Sequence, residues 1–152
     1  MRIFVFLHVL TMFTAVALSG GIDILLLRIV ATRDVPGIRT AFAAHDRFAR
    51  FIPAVFGVGL VFGLIAIFAE GFNPFAGWLL LAYPLFALGI AVGGLGIGRW
   101  SAKVREVSAA APDAGSPELT AVLAAPSVRY AVAAFWLIIA TIIFVMILKP
   151  FA

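Results

Sequence analysis

The sequence predicts an all-α, polytopic membrane protein built as a bundle of four transmembrane helices. The charged residues leave four long uncharged stretches, at residues 3–22, 51–69, 71–98 and 130–148. A helix rises about 1.5 Å per residue and needs about 20 residues to cross a hydrocarbon core of about 30 Å. The composition, 64% hydrophobic and 12% charged, leaves only short connections between these stretches. Each stretch is therefore predicted to be a membrane span.

A single integral membrane domain is predicted over residues 1–152, with spans at about 3–24, 51–69, 76–98 and 128–148. No internal repeat is apparent. The absence of cysteine excludes disulfides, thiol catalysis and cysteine-based zinc sites. The net charge of +4 comes from basic residues beside the span ends, which is typical of contact with anionic lipid. The lipid bilayer is therefore the expected partner, and nucleic acid is not.

The basic residues indicate the orientation. Nine of them lie in or beside the first and third connections, and none lies in the second: Arg28, Arg33, Arg39, Arg47, Arg50, Arg99, Lys103, Arg105 and Arg129. Cytoplasmic connections carry the excess of Lys and Arg. We therefore expect a multi-pass protein of a bacterial cytoplasmic (inner) membrane, with both termini and the 70–75 turn outside.

Span one carries a stripe of small and polar residues that is predicted to pack against other helices. The members lie within about 60° of His8 at about 100° per residue: His8, Thr11, Ala15, Ser19 and Asp23. A helix over 38–51 is expected to run into span two, where Pro53 should kink or loosen it. Before span four, Ser116 and Pro117 are expected to start a short helix.

Glycine pairs four residues apart in spans two and three predict close helix contacts. They are Gly59 with Gly63, Gly89 with Gly93, and Gly94 with Gly98. These glycine-rich faces also suit a homo-oligomer or a membrane complex. Aromatic residues at the span ends are expected to anchor the chain at the membrane interface: Trp78, Trp100 and Tyr130.

His8 is the main candidate for a functional residue, because an ionisable side chain within a span is costly and usually has a partner. It is either a neutral imidazole bonded to a backbone carbonyl or threonine, or a ligand of haem or a metal. Its companions would come from the outer half of the membrane: Met12, Met146, Tyr83, Glu70 or Lys149. Histidine with methionine suits b-type haem or Cu(I). His45 is expected about 20 to 30 Å deeper, which excludes one haem between the two histidines.

A second cluster is expected at the inner rim. Asp23 should pair with cations or His45 there, in a network drawn from Arg28, Arg50, Arg99 and Arg129. Proton uptake, or recognition of an anionic porphyrin or lipid headgroup, is the alternative. No Ser-His-Asp, paired-carboxylate or metalloprotease arrangement is complete, so the sequence predicts no hydrolase and leaves open whether the protein is an enzyme.

Short motifs across the chain resemble an uncharacterised family of small bacterial integral membrane proteins. They include Leu7-His8-Val9-Leu10, Ile52-Pro53-Ala54, Gly77-Trp78-Leu79 and Met146-Ile147-Leu148-Lys149-Pro150, with Arg28 after span one. That family is distantly similar to copper-resistance protein D and to the HemJ-type protoporphyrinogen oxidases. In the oxidases the histidine of span one is linked to haem b, which implies haem at His8. Their lysine after the span-three tryptophan is absent from Leu80-Leu81-Ala82-Tyr83, so the resemblance does not imply porphyrinogen oxidation.

The expected function is therefore that of a small membrane protein that binds b-type haem through His8 in a redox or haem-related role. Two alternatives stay open. One is a non-catalytic structural or accessory bundle. The other is a Cu(I)-handling protein that uses His8, Met12 and Met146, as the copper relatives imply, although this chain is shorter than they are and has three methionines.

Overall fold

The computed structural model describes residues 2–151 and confirms the all-α prediction. In chain order the helices are α1 (Ile3–Thr32), α2 (Val35–Ala49), α3 (Phe51–Ala69), α4 (Gly77–Ala91), a π-helical segment (Val92–Gly98), α5 (Arg99–Ala110), α6 (Pro117–Leu123) and α7 (Pro126–Leu148). Four stretches of 30 to 35 residues are long and apolar enough to cross a membrane: Ile3–Thr32, Val35–Ala69, Gly77–Ala110 and Pro117–Leu148. The four predicted spans fall on these stretches.

The helices form two compact units, one ending at Pro74 and the other starting at Phe75. Each unit consists of a long helix, a short helix and a returning span. In the N-terminal unit these are α1, α2 and α3. In the C-terminal unit α4, the π-helical segment and α5 together form the long helix, and α6 and α7 follow. Both short helices start at a capping side chain that is followed by proline. Asp34 accepts a hydrogen bond from the Gly37 amide (3.1 Å), and Ser116 accepts one from the Leu119 amide (3.1 Å). The order of elements is thus repeated, although the sequence shows no repeat.

In the N-terminal unit, α1 and α3 pack antiparallel along their length. At one end, Arg2 Nε lies 4.0 Å from Glu70 Oε2. Ala15 and Ser19 are buried, at 0% and 7% exposure. The small and polar stripe of span one is therefore a packing face, as predicted.

The expected loosening near Pro53 takes the form of a break between α2 and α3 at Arg50. Proline has no amide hydrogen, and its ring clashes with the carbonyl four residues earlier. For Pro53 that residue is Ala49, where α2 ends. The chain resumes as α3 at Phe51, so α2 and α3 are nearly continuous.

In the C-terminal unit, α7 packs antiparallel to α4 and the π-helical segment. The contact is made through glycines of α4 and of the π-helical segment. A Cβ at Gly89 would lie 3.5 Å from Ile138, and one at Gly93 would lie 3.6 Å from Phe135. The closest approach is at Gly96, where a Cβ would lie 2.8 Å from the Ala131 Cβ.

The expected contact through Gly94 and Gly98 does not form within the described residues. A Cβ at Gly94 would meet nothing within 4 Å, and one at Gly98 would meet only the Gly93 carbonyl of its own segment. Gly94 follows Gly93 by one residue, so it is turned about 100° around the helix, away from α7. Four glycines in seven residues also lower the α-helical preference of this segment, which adopts the rarer π-helix.

The two tryptophans expected at the interface make contacts within the protein. Trp78 is buried, and Lys149 Nζ lies 5.3 Å from the centre of its ring, within cation–π range. Trp100 donates its indole N–H to the Val122 carbonyl across 3.1 Å and so ties α5 to α6. Tyr130 is 75% exposed, and the anchoring role of the three aromatic residues stays a prediction.

The glycine contact in the C-terminal unit predicts opposite effects for two neighbouring substitutions. Gly96→Ala places a methyl group against Ala131, where no flexible side chain can rotate away, so we expect a loss of about 1 to 3 kcal/mol of stability. Gly94→Ala meets no neighbour and should gain up to about 1 kcal/mol from helix propensity. Thermal unfolding in detergent, followed by circular dichroism, measures both. Equal unfolding midpoints for the two variants would contradict this packing.

Candidate ligand site at His8

The His8 imidazole packs against a glycine surface on α3. Gly59 and Gly63 are one turn apart and therefore lie on the same face of that helix. A Cβ at Gly63 would lie 2.8 Å from His8 Nδ1 and 2.9 Å from its Cε1. Any larger residue at position 63 would displace the ring. The glycine pair predicted to allow close helix contact is thus the surface that receives the imidazole.

A hydrogen bond determines which nitrogen of the His8 imidazole carries a proton. His8 Nδ1 lies 2.7 Å from the Gly59 carbonyl oxygen. A carbonyl oxygen only accepts, so Nδ1 must carry the proton and donate it. In the neutral ring Nε2 then keeps its lone pair. His8 is therefore bonded to a backbone carbonyl, which was one of the expected alternatives, and it still presents a nitrogen that can bind a metal.

Thr11 is not the partner of the His8 imidazole. Its hydroxyl donates to backbone carbonyls within α1, at 2.7 Å from the Leu7 oxygen and 3.0 Å from the His8 oxygen. Thr11 instead lines the same glycine surface, because a Cβ at Gly59 would lie 3.0 Å from its Oγ1. The polar side chains of this part of α1 are therefore satisfied by backbone carbonyls.

Met12 is the predicted companion that the structure brings beside His8. A Cβ at Gly59 would lie 3.1 Å from Met12 Sδ, so the thioether and the imidazole occupy adjacent positions along α3. The two residues are also four apart on α1 and thus neighbours on its surface. The role of Met12 as a ligand stays a prediction.

The other expected companions have different surroundings. Glu70 faces Arg2, and Lys149 lies over the ring of Trp78. Met146 is half-buried on α7 and Tyr83 is exposed on α4, both in the C-terminal unit. Their role as ligands stays a prediction.

His45 and His8 lie at opposite ends of the N-terminal unit. His45 is on α2, half-buried, with its ring edge against Phe42 at 6.4 Å between centroids. It lines a groove with the Ile22–Ile29 part of α1, which is at least 14 residues, about 20 Å, from His8 along the helix. One haem cannot reach both histidines.

The inner-rim network also stays a prediction. Asp23 is half-buried on α1, whereas Arg28 is exposed. Arg50 donates its Nε–H to the Arg47 carbonyl across 3.1 Å, which keeps its guanidinium at the end of α2. Arg99 and Arg129 are exposed in the C-terminal unit.

Comparison with known proteins gives no independent assignment of this site. No protein-family model, no curated protein and no solved structure matches the chain. Within residues 2–151, no three His, Asp or Glu side chains are grouped so that they could hold a metal ion. The imidazole of His8, with its oriented Nε2, is therefore the strongest candidate for a ligand-binding group.

The glycine surface predicts a specific coupling between positions 63 and 8. Gly63→Ala should push the imidazole away from Gly59 and cost about 1 to 3 kcal/mol of stability. Gly57→Ala, on the same helix but with no neighbour within 4 Å, is the matched control and should not destabilise the protein. In a His8→Ala background, the cost of Gly63→Ala should largely disappear. Unfolding midpoints in detergent test this cycle, and an equal cost with and without His8 would contradict the geometry.

Proposed function

We propose that this chain is a multi-pass protein of a bacterial cytoplasmic membrane that binds b-type haem through Nε2 of His8, in a redox or haem-related role. The observation that carries the proposal is the hydrogen bond between His8 Nδ1 and the Gly59 carbonyl. The resemblance of the span-one motif to haem-linked relatives points to the same residue.

His8 has the chemistry of a residue that would bind the iron of a haem. Iron is bound by the lone pair of a neutral imidazole, and a backbone carbonyl on the other ring nitrogen fixes the tautomer and raises the basicity of the ligand. Because Gly63 has no side chain, the His8 ring can pack directly against α3. Haem, when bound, supplies one-electron redox chemistry. The protein contributes the orientation of the ligand and an apolar surround.

A Cu(I) site is the second candidate, and the position of Met12 favours it. Imidazole and thioether are ligands that Cu(I) accepts, and His8 and Met12 lie side by side over the Gly59 and Gly63 surface. Met146 would be a further ligand under this proposal. A purely structural role is the third candidate, because the bond to Gly59 by itself fastens α1 to α3.

An absorption spectrum separates these candidates. Protein purified from haem-supplemented cells should show a Soret band that His8→Ala removes and His45→Ala leaves unchanged. Added imidazole should restore the band in His8→Ala by filling the vacated position. Copper retention that falls in Met12→Leu and Met146→Leu would favour the copper candidate. If the wild-type protein is colourless and holds no copper, the haem proposal is overturned, and the structural role is the candidate that remains.

We also propose that both termini and the 70–75 turn face the outside, because the arginine-rich connections should face the cytoplasm. The chain has no cysteine, so single cysteines can report the topology without background. Asn73→Cys in the second connection should react with a membrane-impermeant maleimide in intact cells. Ala114→Cys in the third connection should react only after permeabilisation. The reverse pattern would overturn this orientation.

A further inference from the structure

An apolar groove of about 610 Å³ lies between the C-terminal half of α1 and α2, at the end of the N-terminal unit away from His8. Leu25 and Ile29 line one wall, and Ala44 and Phe48 line the other. Thr40 and His45 are its polar members. Its volume falls in the range of small-ligand sites.

The groove exists because α2 presents small residues to α1. Gly37, Ala41 and Ala44 face the groove and cannot fill the space beside the leucines and isoleucines of α1. The large apolar residues of α2, Ile38 and Phe42, are buried on a different face of that helix, at 0% and 1% exposure. The groove itself stays open, with Leu25 and Phe48 more than half exposed.

The groove has apolar walls and lies close to positively charged residues. Span one is predicted to end near residue 24, so Leu25 and Ile29 lie where the apolar span gives way to the arginine-rich connection. Residues 28–50 contain five arginines and two aspartates. The exposed Arg47 is three residues from Ala44 and therefore borders the groove on α2. The exposed Arg33 follows the end of α1, about 18 Å from Arg47 along α2.

We propose that this groove binds one acyl chain of an anionic phospholipid, with the lipid phosphate bound by Arg47. Guanidinium groups bind phosphate oxygens through paired, charge-assisted hydrogen bonds. Basic sites beside membrane helices on the cytoplasmic side recognise anionic headgroups in this way. The apolar walls exclude water from the acyl chain, and Arg47 selects the headgroup. This inference goes beyond the proposed function and is independent of haem or copper at His8.

The test uses the full chain in detergent, with phosphatidylglycerol and phosphatidylcholine of identical acyl chains as probes and native mass spectrometry to measure bound lipid. The wild type should retain phosphatidylglycerol in preference to phosphatidylcholine. Arg47→Gln should weaken that binding about fivefold, as expected for one basic residue near an anionic lipid. Arg39→Gln, about 150° away around α2 from the centre of the groove, is the matched control and should retain it.

A second pair of variants tests the groove itself. Ala44→Phe fills it and should remove bound phosphatidylglycerol, whereas Ala43→Phe, at an exposed neighbouring position outside the groove, should not. Unfolding midpoints confirm that each variant is folded. Equal retention of the two lipids would mean non-selective lipid contact and overturn the proposal. If Arg47→Gln loses bound lipid while Ala44→Phe retains it in full, the acyl-chain site is overturned. A dimer that Ala44→Phe abolishes would identify a second copy as the occupant and also overturn it.

Discussion

The hydrogen bond from His8 to the Gly59 carbonyl is the constraint on which the site depends. It requires α1 and α3 to approach closely, and that approach is possible only because positions 59 and 63 carry no side chain. It also fixes the proton on Nδ1, so Nε2 is the nitrogen that remains for a ligand. One contact thus links the packing of two membrane helices to the chemistry of the only histidine within a predicted span. A structural role and a ligand role for His8 are therefore compatible, since the same bond serves both.

In both units a helix surface made of small residues packs closely against larger side chains of the neighbouring helix. Such packing is needed because lipid chains are as apolar as leucine and supply no hydrophobic drive between helices. In the N-terminal unit the glycines are on the second span and receive His8 and Met12 from α1. In the C-terminal unit the glycines are on the first long helix and receive Phe135 and Ile138 from α7. The same order of elements is therefore packed with opposite distributions of small residues, which explains why no repeat is visible in the sequence.

The helices and several contacts follow from the sequence alone, because span length, glycine spacing and capping residues are local properties. The spans, the packing stripe through Ala15 and Ser19, and the cap at Ser116 were all predicted in this way. The partner of His8 could not be, since it depends on the register between α1 and α3, which no local pattern encodes. The same limit explains the contact at Gly96 in place of Gly94 and the burial of Trp78 beside Lys149. The sequence signal that points to the site is a polar residue in the first span, His8, together with a glycine pair in the second span, Gly59 and Gly63.

The tautomer of His8 tests the central claim most directly. Solid-state NMR of bilayer-embedded protein, with ¹⁵N in the imidazole and ¹³C in the glycine carbonyls, reports which ring nitrogen carries the proton and which carbonyl lies beside it. The structure predicts a protonated Nδ1 with a through-space correlation to the Gly59 carbonyl, and an Nε2 without a proton. A proton on Nε2 of a neutral ring, or a protonated Nδ1 that shows no correlation to Gly59, would contradict the account.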